Sequence, residues 1–138
     1  MVFYFRNLVS KGSKKDFFQK ILEKTVEFKP ELDSFEISLV LVGNQKIRAI
    51  NKKHLESDRI TDVLSFDLGQ GIAEIFISQE RAQAQSKELG HSLNKELATL
   101  FVHGLLHILG HEDQSKEDRQ QMFLLQDRII KKLAEEIV

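Results

Sequence analysis

An α+β fold, built as a small mixed sheet of about four strands packed against helices, is what this sequence predicts. Three observations carry that prediction. Apolar stretches of strand character are confined to the first half of the chain, while helical periodicity runs from Gln79 almost to the end. No repeat, low-complexity segment or Gly/Ser-rich linker interrupts the chain, so residues 1–138 read as a single domain. Hydrophobic residues make up 41% of the 138, enough for one sizeable core.

The elements follow in order. Val2 to Phe5 is a short strand, and Ser10 to Lys15 a polar turn. From Asp16 to Phe28 a helix is expected, with Phe17, Phe18, Ile21, Leu22 and Thr25 on one face and Pro30 as its stop. Phe35 to Val42 alternates at first and then turns wholly apolar, which suits a central strand. Gly43-Asn44 breaks it, and Ile47, Ile50 and Asn51 resume at helical spacing toward Leu55. Glu56 to Asp62 is a polar loop. Val63 to Leu68 and Ile72 to Ser78 are two further strands joined by the turn Gly69-Gln70-Gly71. Helices are expected from Gln79 to about Leu89 and from Leu93 to Leu109. Ser115 followed by Asp118 resembles a capping box opening the last helix, whose buried stripe is read as Met122, Leu125, Ile129, Leu133 and Ile137.

The charge balance is close to even, 20 basic against 21 acidic side chains, so RNA contact would need a local patch rather than a basic molecule. With no cysteine, disulfides are impossible and any metal must be held by nitrogen and oxygen. The first residues place an apolar pentapeptide before the basic ones, the wrong order for a secretory signal, and no run is long enough to span a bilayer. A soluble cytoplasmic protein without membrane contact is expected.

Chemistry concentrates in "HGLLHILGHED", His103 to Asp113, which holds three of the five histidines. Residues four apart share a helix face, so His103 and His107 can aim two imidazoles at one point, the spacing of a zincin-like metal-binding helix. An unbroken helix would carry His111 about 12 Å along the axis from His103. The chain must therefore turn, and Gly110 can supply a left-handed bend. Beyond it His111, Glu112 and Asp113 are all candidates, and counting along H-x-x-x-H-x-x-G-x-x lands on Asp113. The plainer alternative is histidines favoured by the dipole at a helix end. The pair, the glycine and the acid together favour metal. His54 and His91 lie in polar contexts and read as solvated. Gly104 stands where metalloproteases of the H-E-x-x-H type carry their base. A glycine inside a helix costs about 1 kcal/mol against alanine. Close approach of a strand or of substrate backbone is expected to require it.

These residues resemble the YbeY family of bacterial endoribonucleases, whose signature is usually H-G-x-L-H-x-x-G-Y-D-H. "TDVLSF", Thr61 to Phe66, is similar to that family's second motif, "IAEIFIS" falls where its G-D-I-x-I-S strand belongs, and Asn51 matches an asparagine before the loop. The resemblance runs from about Phe35 to the last helix. It implies an α+β domain holding one Zn²⁺ per chain, with no nucleotide cofactor, that cleaves RNA in 16S rRNA 3′-end maturation and ribosome quality control, with rRNA and the small subunit as partners. The implied metal ligands are His103, His107 and Asp113, the last standing where the family has a third histidine. His111, at the family's usual tyrosine position, is the alternative third ligand or a proton carrier, as is Glu112. The family's arginine before the second motif is replaced by Leu55 and its proline by Ile60, which leaves Arg59 as the candidate for gripping phosphate or, alternatively, an exposed partner of Asp58 or Glu56. Lys46, Arg48, Lys52 and Lys53 form either a basic wall along RNA or a solvated helix face. Thr61, Asp62 and Ser65 either line the cleft or serve the turn.

Overall fold

The computed structural model describes residues 1–10, 14–55, 61–110 and 115–137, with the side chains at 55, 136 and 137 outside the description. In chain order the elements are β1 (Val2–Asn7), α1 (Lys15–Phe28), a 3₁₀ turn (Pro30–Ser34), β2 (Glu36–Val42), α2 (Asn44–Leu55), β3 (Val63–Gly69), β4 (Ile72–Ser78), α3 (Gln79–Leu89), α4 (Leu93–Ile108) and α5 (Lys116–Ile137). The sheet is four-stranded, ordered β1-β2-β4-β3. β1, β2 and β4 are parallel, and β3 returns antiparallel to β4 as an edge strand. The mixed α+β class is as the patterning predicts.

β2 explains its own sequence. Ile37, Leu39 and Leu41 join Ile75 and Ile77 of β4 in the main core beneath α1, α4 and α5. Val40 and Val42 point the other way and form a smaller cluster with Leu64 and Ile47 of α2. Both faces of the strand are covered at its C-terminal end, so alternation gives way to an apolar run. Parallel β1 and β2 need a crossover, which α1 supplies. Its Phe18 ring packs edge-on to Phe101 of α4 at 5.4 Å, and Phe101 in turn lies 5.8 Å from Phe3 of β1.

Boundaries shift where hydrogen bonds outlast the hydrophobic pattern. β1 runs two residues past Phe5 because Arg6 and Asn7 still pair with Val40 and Leu41. Pro30 does not end α1 directly; Lys29 closes it by donating its N–H to the Thr25 carbonyl at 2.8 Å, and Pro30 opens the 3₁₀ turn. The β3–β4 connection holds Gly69, Gln70 and Gly71 at φ of 85°, 56° and 76°, which is why two glycines flank it. Ser78, Ser92 and Ser115 cap α3, α4 and α5 by accepting from the N–H three residues on, at 3.2, 3.1 and 3.0 Å.

Two expectations need correction. The buried stripe of α5 contains Met122, Ile129 and Leu133 as predicted, but Leu125 is only half-buried and Gln126 is buried in its place, with Ile130. Positions 122, 126, 129, 130 and 133 make one continuous helical stripe, and 125 falls on its rim; the Ile137 side chain lies outside the described residues. His91 is not solvated either. Its side chain is 20% exposed, with Nε2 3.4 Å from the Glu96 carboxylate, itself 5% exposed. The α3–α4 turn folds His91 back onto the first turn of α4. His54 is exposed as expected, resting 5.4 Å from the Phe66 ring.

Candidate metal centre

α4 is buried almost all round, and His103 and His107 mark the one partly open strip along it. Their spacing brings the two Nε2 atoms to 3.0 Å, with ring centroids 4.6 Å apart. A tetrahedral ion about 2.0–2.1 Å from each nitrogen would hold them only slightly further apart, at about 3.3 Å. Behind the pair, Nδ1 of His103 lies 3.0 Å from Oε1 of Gln126 on α5. Metal-ligating histidines characteristically have such a partner on the ring nitrogen away from the ion.

The rings open onto a cleft of about 510 Å³ between α4 and β3, whose wall includes Thr61, Asp62, Ser65 and Asp67. Alternation along β3 aims Ser65 and Asp67 at this side and Leu64 and Phe66 at the other. Gly104 is what lets the strand come so close. A Cβ there would meet the Ser65 hydroxyl at 2.9 Å and Ile75 at 3.2 Å. The helical glycine is required by a strand, not by a turn.

Asp62 holds the near end of β3. One carboxylate oxygen accepts from the Val63 N–H at 2.8 Å and the other from Gln85 of α3 at 3.3 Å, while its carbonyl accepts from the Ser78 N–H at 2.9 Å. Its observed role is therefore to anchor the strand. The helix end behaves as its glycine predicts. The Leu109 N–H is shared by the Leu105 and Leu106 carbonyls, the Gly110 N–H donates to His107 at 3.0 Å, and Gly110 takes φ 91°.

The paired histidines and the β3 wall lie within a chain whose relatives are known. The family model for Endoribonuclease YbeY matches residues 6–134. The chain belongs to this family. Among curated relatives, Endoribonuclease YbeY of Sulfurihydrogenibium sp. is 39% identical over 140 residues, covering 96% of this chain and 91% of the relative. The Bacillus cereus (strain B4264) protein of the same name is 35% identical over 127 residues, 81% of each chain. A solution structure of a protein from Thermotoga maritima shares the fold at TM-score 0.69, with 24% identity over 98% of this chain and 91% of that one.

Within this YbeY-family chain the structure brings together His103, His107, Thr61, Asp62 and Ser65 along one cleft, and Asp62 fills both of the roles the sequence left open for it, lining the cleft and serving the turn. Asp113, His111, Glu112 and Arg59 lie outside the described residues. Among the described residues no group of three or more His, Cys, Asp or Glu is gathered for a metal. Lys46, Arg48, Lys52 and Lys53 are exposed on α2, which packs on the sheet face opposite α4, and none of them lines the cleft. The close approach of a strand expected at Gly104 is that of β3 and β4, while nothing in the sequence reading singled out Gln126. The signal for Gln126 was a lone amide in a stripe otherwise filled by Met122, Ile129 and Leu133, where a buried polar group must have a partner.

Proposed function

We propose that this chain is a metal-dependent endoribonuclease specific for single-stranded RNA, acting in 16S rRNA 3′-end maturation and ribosome quality control, with rRNA and the small subunit as cytoplasmic partners. Membership of the endoribonuclease YbeY family makes RNA cleavage the activity, and the convergence of two imidazole Nε2 atoms at 3.0 Å on an open polar cleft is the observation that carries metal dependence. The donor set, nitrogen without thiolate, suits one Zn²⁺ per chain. His103, His107 and Asp113 would hold it, with His111 the alternative to Asp113. Bound there, the ion would acidify water or polarise the phosphoryl group. Arg59 is assigned to the scissile phosphate through its bidentate fork, and His111 or Glu112 to carrying a proton. Ser65 and Thr61 present neutral hydroxyls to the same cleft, beside the carboxylates of Asp62 and Asp67.

Among the described residues no helix is long and apolar enough to cross a membrane. A peptidase reading is disfavoured by Gly104, because β3 and β4 fill the space that a glutamate there would need. A purely structural ion is disfavoured by membership of a family of endoribonucleases.

The test uses tag-free protein, its metal measured by elemental analysis, incubated with single-stranded and duplex RNA oligonucleotides before and after chelation. Cleavage of the single strand alone, lost with the metal and restored by zinc, is expected. Cleavage by verified metal-free protein would overturn the reading. Asp113→Asn is expected to weaken metal retention more than His111→Ala, and the reverse order would transfer the third ligand to His111.

A further inference from the structure

The geometry points to Gln126 as a positioning residue that selects the metal-binding tautomer of His103, an inference that rests on the metal reading above. Gln126 is buried on α5, 8% exposed, between Met122 at 2% and Ile129 at 0%. Its amide is therefore held by packing on both sides along the stripe. Oε1 stands 3.0 Å from Nδ1 of His103. A carbonyl oxygen can only accept, so Nδ1 carries the hydrogen and the Nε2 lone pair of a neutral ring is left free. That lone pair faces His107 Nε2 at 3.0 Å, across the point on which a shared ion would sit. In this arrangement α5 acts on the site without touching the cleft: it sets which nitrogen of His103 is basic and in which plane its ring lies.

The choice of an amide has a consequence. A glutamate at 126 would accept the same hydrogen bond but bring a buried negative charge, whereas glutamine orients the ring at no cost in charge. The opposite amide orientation would place an N–H₂ against Nδ1, force the hydrogen onto Nε2 and block the ligand position. Tautomer and amide orientation are thus one variable with one measurable value.

That value is read on metal-free, full-length protein labelled with ¹⁵N-histidine, using long-range ¹⁵N–¹H correlation spectra in which His103 is assigned by its absence from a His103→Gln protein. A neutral His103 bearing hydrogen on Nδ1 is expected; hydrogen on Nε2 overturns the inference. This reading uses the wild-type chain and so stands whatever the variants do. Zinc competition against a chromogenic chelator then gives the effect on affinity. Gln126→Leu is expected to bind roughly 10- to 100-fold more weakly, with Gln126→Glu recovering most of the loss. A leucine variant, folded by circular dichroism, that matches wild type overturns the inference, as does a glutamate variant no better than leucine. A wild type that binds no zinc overturns the metal reading instead, and the tautomer still decides what Gln126 does.

Discussion

The two faces of the sheet are built for different ends. On one side α1, α4 and α5 enclose a core running from Phe3 to Leu133, and that core frames the paired histidines. On the other, α2 covers a small patch of Val40, Val42, Ile47 and Leu64, and presents lysines to solvent. The difference teaches where precision is kept. Two imidazoles that are to share one ion, as proposed, must be held within fractions of an ångström, and the more heavily packed face supplies the rigid neighbours that can do this. The α2 face has only to close the sheet.

That contrast can be broken in several places. The largest effect is expected from His107→Ala, which should abolish metal retention and RNA cleavage together while leaving urea unfolding of the metal-free protein within about 1 kcal/mol of wild type. Activity surviving in a zinc-free variant would move the chemistry elsewhere. Phe101→Ala should cost about 3–5 kcal/mol of stability and weaken zinc binding as well, because Phe101 lies in the same helix as the proposed ligands His103 and His107. Its counterpart across the sheet, Ile47→Ala, should cost about 2–4 kcal/mol in the same unfolding experiment but leave zinc affinity unchanged. Equal effects of the two on zinc would erase the distinction between the faces.

Gly104→Ala comes next. Overpacking against Ser65 and Ile75 is worth about 1–3 kcal/mol, offset by about 1 kcal/mol of regained helix propensity. The net loss should be near 1 kcal/mol, and removing the hydroxyl with Ser65→Ala should relieve part of it in a double-mutant cycle. Additive losses would show that the strand does not press on the helix there. The smallest effect is expected from Lys52→Glu with Lys53→Glu: stability within about 0.5 kcal/mol and unaltered cleavage of a short single-stranded oligonucleotide. A several-fold loss on that substrate would bring α2 into the RNA path.

Several features were legible along the chain because their causes are local. The i, i+4 histidines, the glycine bend after them, the Ser115 cap and the Gly-Gln-Gly turn each follow from helix period, backbone freedom or a side chain reaching three residues on. Even the apolar end of β2 announced a strand covered on both faces. Leu125 was misread because a stripe defined by every fourth apolar residue says nothing about an amide that belongs in it. His91 was misread because its polar neighbours in sequence are not its neighbours in space; the turn at Gly90, with φ 70°, folds it onto Glu96.

What the amino-acid order determined by itself was the kind of chemistry: nitrogen and oxygen donors without thiol, two imidazoles on one helix face, and a place for the chain to bend beyond them. Only the tertiary structure decided how that chemistry is held. It set β3 against Gly104 so that a cleft lies beside the rings, turned the lysines of α2 to the far side, and put Gln126 behind His103, 23 positions further along the chain. The reason is range. Helix period and backbone conformation act over a few residues and are written in them, whereas the partner of a buried hydrogen-bonding atom is chosen by which surfaces pack together.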